Sequence, residues 1–152
     1  MIHRIFRKTT LPLPRPEVFR FFADAGNLER ITPPELAFEF VTPLPVEMRV
    51  GALIEYRLGL FGVRFGWRTR IVAWEPDRGF VDEQLRGPFR RWVHTHRFRE
   101  VEAGTEVEDE VEWALPLPPL GEVARPLVRR QLERIFDHRT VATRELLLGE
   151  KG

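Results

Sequence analysis

The sequence has 152 residues, of which 43% are hydrophobic and 31% charged, so it is long enough for one domain with a buried core and too apolar for disorder. Its 24 basic and 23 acidic residues leave a net charge of +1, without the electrostatic footprint of a nucleic-acid or anionic-membrane binder. No apolar run approaches the roughly 18 residues of a membrane span, and the N-terminus lacks the core of a signal peptide. We therefore expect a single cytoplasmic domain over residues 1–152, with no integral membrane segment and no nucleic-acid partner.

Residue types that are missing exclude several chemistries. The absence of Cys excludes disulfides, thiolate metal sites and Cys nucleophiles, and the absence of Ser excludes Ser-based acyl transfer. Lysine occurs only at positions 8 and 151, which disfavours a Schiff-base mechanism because Lys151 lies at an end expected to fray. The scarcity of Asn and Gln, together with the many charges, favours a thermophilic source. We expect no cofactor.

The N-terminal third is predicted to contain one strand and two short helical segments. A first strand spans residues 2–10 and ends in a Pro-rich stretch. Pro16 is suited to the first turn of the following helix, because its missing N–H costs nothing there. Gly26 stops that helix, and residues 27–32 form a second short turn that ends at Pro33 and Pro34.

The middle of the chain alternates apolar and polar residues with period two, which is typical of strands. This pattern predicts six strands, over residues 36–41, 54–58, 63–71, 80–86, 91–100 and 106–115. In the last strand the odd-numbered residues Val107 to Leu115 are mostly apolar. The even-numbered residues Glu106 to Glu112 are all acidic, so we expect that face to meet water.

From about Gly121 to Leu148 the apolar residues follow helical spacing. Their stripe comprises Val123, Leu127, Val128, Leu132, Ile135, Phe136 and Ala142. Such a helix is about 40 Å long and crosses a whole sheet, with Pro126 marking either a kink or its true start. The order β-α-α-β6-α predicts an α+β fold, in which a strongly curved antiparallel sheet of about seven strands wraps around the C-terminal helix. Because a straight helix and a curved sheet cannot touch everywhere, we expect a gap between them.

A series of different short motifs extends along nearly the whole chain. They are Leu13-Pro14-Arg15-Pro16-Glu17-Val18-Phe19, Ala25-Gly26-Asn27-Leu28, Trp74-Glu75-Pro76, residues 80–89, residues 92–98, Thr105 and Asp109. This set resembles the START-like (SRPBCC) helix-grip superfamily, the polyketide cyclase/dehydrase and lipid transport group. The resemblance implies a cavity for a hydrophobic ligand, and some members of the group are cyclases or dehydratases. It does not by itself imply a reaction.

A polar cluster is predicted on one face of the strand at 91–100. Alternation places Trp92, His94, His96 and Phe98 together, opposite several arginines, so the histidine face is expected inward. Asp82 and Gln84 on the preceding strand and Asp109 on the following one are predicted neighbours. The candidate catalytic residues are therefore His94, His96, Asp82 and Asp109. Two interpretations stay open, an acid–base site facing an apolar ligand and a buried network that fixes strand register.

The His-x-His spacing also permits a zinc site with Asp82 or Asp109 as a third ligand. Two histidines are a weak signal and no other feature of the sequence supports a metal, so we predict none.

Aromatic residues that share the concave face are either plain core or the wall of a ligand site. The predicted ligand-binding residues are Phe38, Phe40, Tyr56, Phe65, Trp67, Phe80, Gln84, Trp92, Phe98, Trp113, Leu127, Gln131 and Ile135. Our main hypothesis is the binding and transport of a hydrophobic small molecule such as a lipid, isoprenoid, quinone or polyketide-like compound. The alternatives are a cyclase or dehydratase that uses His94 or His96 with Asp82 or Asp109, and an interaction module whose interior is filled by side chains.

Overall fold

The computed structural model describes residues 1–149 and contains a seven-stranded antiparallel sheet with a long C-terminal helix. The strands are β1 (His3–Leu11), β2 (Glu39–Phe40), β3 (Leu53–Leu60), β4 (Val63–Glu75), β5 (Gly79–Arg86), β6 (Arg91–Val101) and β7 (Gly104–Ala114). The helices are α1 (Arg15–Ala23), α2 (Asn27–Arg30) and α3 (Arg125–Leu148), with 3₁₀ turns at Pro34–Leu36 and Leu120–Ala124. The strand order β1-β7-β6-β5-β4-β3-β2 brings the first strand beside the last. The predicted α+β helix-grip fold is confirmed.

The predicted strand over residues 36–41 is mostly wrong. Residues Pro34–Leu36 form a 3₁₀ turn, Ala37 takes a left-handed conformation with φ of 48°, and only Glu39 and Phe40 pair with β3. Pro33 and Pro34 have no N–H to donate to a sheet, and the turn buries Leu36 instead. The alternation of Leu36, Phe38 and Phe40 therefore reflects burial of separate side chains and not one long strand.

The C-terminal helix begins later than predicted, because Pro126 lies in its first turn and marks the start of α3. Its buried face follows a spacing of three and four residues, through Val128, Leu132, Phe136, Arg139, Ala142 and Thr143. The prediction that Val123 and Leu127 face the sheet is wrong, since they are 84% and 59% exposed. Val123 precedes the helix in a 3₁₀ turn, and Leu127 is rotated by about 100° from Val128 toward solvent.

The acidic face of β7 is paired with arginines of β6. Arg99 donates to Glu106 at 2.7 Å and Arg91 donates to Glu112 at 2.9 Å across the two strands. The prediction that all four glutamates face water is wrong for Glu106, which is 8% exposed because neighbouring basic side chains cover it. The opposite face of β7 points inward as predicted, with Val111 and Trp113 fully buried.

The interior consists of two hydrophobic clusters. In one, Val18 and Phe19 of α1 pack on the sheet, and in the other, Leu132 and Phe136 of α3 do so. A polar group of side chains from β5, β6, β7 and α3 lies between them, in contact with both clusters. Within residues 1–149, no helix combines the length and the apolar character needed to cross a membrane.

Candidate functional site

Strand register brings the four predicted polar residues together. Asp82 of β5 lies opposite His94 of β6, and His96 of β6 lies opposite Asp109 of β7. The hydrogen bonds run diagonally, with His96 Nε2 2.6 Å from Asp82 Oδ2 and His94 Nε2 2.7 Å from Asp109 Oδ1. Both histidines are buried. Their predicted inward orientation and their contact with carboxylates are therefore confirmed.

The two imidazoles belong to a column of stacked rings. Phe80 stacks on His96 with ring centroids 4.0 Å apart, and His96 stacks on His94 at 3.7 Å. Phe136 of α3 meets the ring of His94 edge-on at 5.5 Å. An aromatic ring on each side of the pair and a hydrogen bond to each imidazole hold the two rings in one orientation, which gives the cluster a rigid geometry.

Arg139 completes the cluster and was not predicted from the sequence. This buried side chain reaches from α3 to the sheet, where Nη2 lies 3.4 Å from both Asp109 Oδ1 and His96 Nδ1. Its guanidinium carbon stands 5.2 Å from the ring centroid of Phe22. The signal was available, because the helical spacing of Val128, Leu132 and Phe136 continues onto position 139.

Arg139 determines which ring nitrogen of His96 carries the proton. A guanidinium can only donate, so Nδ1 of His96 accepts from Arg139 and Nε2 carries the proton donated to Asp82. Burial, and then the neighbouring His94, lower the pKa of His96 to about 4 despite the nearby carboxylates. His96 is therefore neutral at pH 7, and both of its nitrogens are occupied by hydrogen bonds.

Both carboxyl groups are ionised at neutral pH. Burial raises the pKa of Asp82, but the hydrogen bond from His96 and the charges of neighbouring groups outweigh it, so the net shift is downward. Burial also raises the pKa of Asp109. The charge of Arg139 and the hydrogen bond from His94 outweigh burial and hold this pKa well below its usual range. Because Asp109 is ionised, His94 Nε2 is the donor in their hydrogen bond.

His94 keeps one nitrogen out of the hydrogen-bond network. Its Nδ1 lies 4.0 Å from Asp82 Oδ2, which is beyond hydrogen-bonding distance. The side chain is part of the wall of a cavity between the sheet and α3. Of the two histidines, His94 is therefore the one with a nitrogen available to exchange a proton or a hydrogen bond with a bound molecule.

That cavity lies between the concave face of the sheet, α3 and the α1–α2 segment, and its volume is about 150 Å³. Sites for drug-sized ligands have about 300–1,000 Å³, whereas a cavity of about 150 Å³ accommodates benzene. The size fits one small ring system better than a sterol or a long-chain lipid. Burial, and then the charge of Asp82, raise the pKa of the wall residue Tyr56 well above its usual value, so its hydroxyl stays protonated.

The structure brings about half of the predicted ligand-binding residues to the cavity wall. Those at the wall are Phe38, Tyr56, Trp67, Phe80, Trp92 and Ile135, together with Asp82, His94 and His96. Wall residues that the sequence analysis missed include Phe22, Leu28, Ile31, Phe89, Leu132, Phe136 and Arg139. Five of these seven come from α1, α2 and α3, whose approach to the sheet strand alternation cannot predict.

The other predicted residues lie elsewhere. They are Phe40, Phe65, Gln84, Phe98, Trp113, Leu127 and Gln131, and Asp109 lies outside the wall as well. Gln84 hydrogen-bonds both backbone groups of Phe89 and closes the β5–β6 connection. Trp113 is covered by His3, with ring centroids 4.7 Å apart, and Phe98 packs on Phe19 of α1 at 5.3 Å. Trp113 and Phe98 share the inward face of the sheet but are covered by side chains of other elements.

A metal ion does not suit the cluster in this arrangement. Asp82, His94 and His96 offer ligand atoms within 4.8 Å of one another. However, the stacked imidazoles have ring centroids 3.7 Å apart and planes inclined by only 25°, so their in-plane lone pairs lie in nearly parallel planes and do not converge on one point. Arg139 also directs the proton of His96 toward Asp82, onto the nitrogen that a metal would need.

We compared the chain with known proteins to identify its fold and its family. Among curated proteins, none matches the sequence. TTHA0849 from Thermus thermophilus is 19% identical, with a TM-score of 0.75 over all of both chains. The ZhuI aromatase/cyclase from Streptomyces sp. R1128 is 16% identical, with a TM-score of 0.74 over all of both chains. CV1439 from Chromobacterium violaceum is 17% identical, with a TM-score of 0.71 over 95% of this chain and 96% of that one.

At these identities the structural likeness shows a common fold alone. The family model described as "Polyketide cyclase / dehydrase and lipid transport" matches residues 11–138, from the end of β1 into α3. This match covers most of the chain and includes every strand from β2 to β7. The chain therefore belongs to the polyketide cyclase/dehydrase and lipid transport family.

Proposed function

We propose that the protein binds a small, flat hydrophobic molecule in the cavity between the sheet and α3. The observation that carries this proposal is a cavity of about 150 Å³ with a mainly aromatic and aliphatic wall, beside one rigid polar cluster. An apolar wall supplies affinity, and a few fixed polar groups supply orientation. The family description, which includes lipid transport, supports the same class of function.

The aromatic part of the wall favours planar ligands. Phe38 stacks on Tyr56 with ring centroids 4.7 Å apart, and Tyr56 stacks on Trp67 at 5.9 Å. Trp67 in turn meets Trp92 edge-on at 5.1 Å. This series of rings crosses neighbouring strands and presents flat apolar surface and ring edges to the cavity, which suits another ring system.

The polar cluster favours binding over covalent chemistry. The carboxylates of Asp82 and Asp109 are engaged by histidines, and both nitrogens of His96 are occupied. Among residues 1–149 the wall contains no Cys, Ser or Lys, and its remaining side chains with nucleophilic atoms are aspartates, histidines, two threonines and Tyr56. The geometry is thus that of a fixed recognition surface. Transport between a donor and an acceptor, and a cytoplasmic location, stay predictions.

Native mass spectrometry of the protein purified from its own host tests the proposal directly. We expect one small molecule per chain, released on denaturation and identified after extraction. A titration with indole, a neutral aromatic probe, should saturate at one site and be competed by the extracted molecule. A protein that carries no ligand and shows no saturable indole binding would refute the proposal.

A second candidate function, proton-transfer catalysis, is favoured by one observation. His94 has Nε2 fixed by the ionised Asp109, while Nδ1 has no hydrogen-bond partner among residues 1–149. A carboxylate-oriented imidazole of this kind is suited to general acid–base catalysis. The test is conversion of the extracted ligand by the native protein, by His94→Gln and by His96→Gln. If His94→Gln alone abolishes conversion while the ligand still binds, the non-catalytic proposal is wrong.

A further inference from the structure

Exposed apolar side chains gather at one edge of the sheet. The β3–β4 hairpin, the β5–β6 connection and the segment from β7 to α3 all lie there, because successive antiparallel strands alternate in direction. We call it the Phe61 edge, after the residue at the tip of the β3–β4 hairpin. Its exposed large apolar residues include Phe61, Val63, Leu85, Leu117, Leu120 and Val123. Single exposed apolar residues are common, but a group at one edge marks an interaction surface.

The segment from β7 to α3 adds an apolar stripe that the fold leaves uncovered. Leu120, Val123 and Leu127 follow the spacing of three and four residues that places side chains on one side of a helical segment. All three are exposed, whereas the neighbouring Val128 packs on the sheet. An apolar stripe on the outer side of a helix is what a protein surface or a membrane interface covers.

The free charges at the Phe61 edge are positive. Arg86, Arg90 and Arg125 are exposed, and none of them forms an ion pair with another of the residues 1–149. The three connecting segments at this edge contain one acidic residue, Glu122. Its carboxylate is already hydrogen-bonded to His3 at 2.9 Å. The edge therefore combines apolar side chains with cations that have no anionic partner.

Acidic residues lie at the opposite edge. The β4–β5 and β6–β7 turns there contain Asp77 and Glu102. Arg78 of the first turn is paired with Glu75 at 3.5 Å. The net charge of +1 sums over both edges, so it does not show this asymmetry. A local positive patch attracts an anionic surface even when the whole chain is nearly neutral.

Two kinds of partner cover an exposed apolar edge, a protein surface and a membrane. In a closed dimer a second copy of the chain would present the same edge, because such dimers use one surface twice. The arginines of one copy would then face those of the other, and Glu122 is engaged by His3. An anionic bilayer matches the edge better, since it has a layer of negative headgroups over hydrocarbon.

The ligand cavity extends to the same edge. Leu60, the last residue of β3, and Phe89, which precedes Arg90, both belong to the cavity wall. Phe61 follows Leu60 directly and is 46% exposed. Docking through this edge therefore brings one end of the cavity close to the bilayer, which shortens the path of an apolar molecule through water.

We infer that the protein docks on anionic lipid bilayers through the Phe61 edge. Its apolar side chains enter the boundary between headgroups and acyl chains, and Arg86, Arg90 and Arg125 face the headgroups. This inference goes beyond the proposed ligand binding and does not depend on it. Because only a few side chains enter the bilayer, the binding is reversible and weakened by salt.

Vesicle sedimentation tests the inference with the native protein. The vesicles consist of phosphatidylcholine alone or of an equal mixture of phosphatidylcholine and phosphatidylglycerol. We expect the mixed vesicles to bind at least about tenfold more tightly, because each arginine near an anionic surface strengthens binding about fivefold. Added NaCl should weaken this binding. Equal binding to both kinds of vesicle, or binding to neither, would overturn the inference, while the ligand site is tested separately with indole.

Matched variants locate the contact. Leu120→Gln should weaken binding to the mixed vesicles at least about fivefold, whereas Leu53→Gln, the same change at the opposite edge where Leu53 is 45% exposed, should change it less than about twofold. Arg90→Gln should weaken binding about fivefold. Its control is Arg20→Gln on α1, an exposed arginine on a helix that packs toward the opposite edge. Equal effects of a variant and its control would overturn the inference.

Self-association is the alternative that the same variants detect. Sedimentation velocity of the native protein without vesicles should show a monomer. A dimer that Leu120→Gln dissociates and Leu53→Gln does not would assign the Phe61 edge to a second copy of the chain and overturn the inference.

Discussion

A substitution on α3 that fills the cavity distinguishes a ligand-binding cavity from an ordinary hydrophobic core. Ile135 lies at the cavity wall and is half-buried against the cluster that joins α3 to the sheet. Ile135→Trp adds roughly the volume of two water molecules, about 60 Å³ at 30 Å³ each. That addition is smaller than the cavity volume of about 150 Å³. The indole therefore has space, and the free energy of unfolding should fall by less than about 1 kcal/mol, against about 1–3 kcal/mol for overpacking a filled core.

The same substitution should weaken ligand binding strongly. With the new ring in the cavity, too little volume remains for a second one, so indole affinity should fall at least about tenfold, which corresponds to about 1.4 kcal/mol. Leu127→Trp is the matched control, because this position lies on the same helix but is 59% exposed. It should change neither stability nor binding. The measurements are urea denaturation and calorimetric titration with indole.

Two outcomes would refute this reasoning. A loss of about 1–3 kcal/mol of stability in Ile135→Trp with unchanged indole binding would mean that the cavity does not hold the probe. Equal loss of indole binding in Leu127→Trp would mean that the binding site lies on the outer face of α3. In either case the proposed location of the ligand would be wrong.

Two further predictions concern stability. Because His96 has its pKa lowered from 6.5 to about 4, the unfolded chain takes up a proton between these pH values that the folded chain does not. The free energy of unfolding should therefore be unaffected by His96 above pH 6.5 and fall toward pH 4, by up to about 1.4 kcal/mol per pH unit. His96→Gln should flatten this pH dependence, measured by urea denaturation. An identical pH dependence in the two proteins would contradict the lowered pKa of His96. Gly79→Ala should cost about 1–3 kcal/mol, since a Cβ there collides with the backbone oxygen of His96. Gly66→Ala, with no atom within 4 Å of the new Cβ, should cost less than about 0.5 kcal/mol in thermal unfolding, and equal costs would contradict the clash.

Local patterns in the sequence determined most of the fold. Period-two alternation identified β3 to β7, and the helical spacing identified α3, because in both cases one face of the element is buried and the other is not. The pattern misled at residues 36–41, where Leu36 belongs to a 3₁₀ turn, Phe40 to a two-residue strand, and Phe38 to the link between them. Burial alone produces the same alternation as a strand when a chain changes direction over a core.

Within the candidate site, alternation on neighbouring strands was enough to bring Asp82, His94, His96 and Asp109 together. Their roles depended on α3, because Arg139 orients the proton of His96 and balances Asp109. A charged residue in a helix is expected in solvent, and only its partners on the sheet make its burial favourable.

Membership of the cavity wall was likewise decided by the tertiary structure. Trp113 and Trp92 both point inward from neighbouring strands, yet Trp92 lines the cavity and Trp113 is covered by His3. The sequence by itself determines which face of each strand is buried, since that depends on the polarity of alternate residues. Which buried residues leave space between them depends on how the helices and termini pack over the sheet, and this is a property of the whole chain.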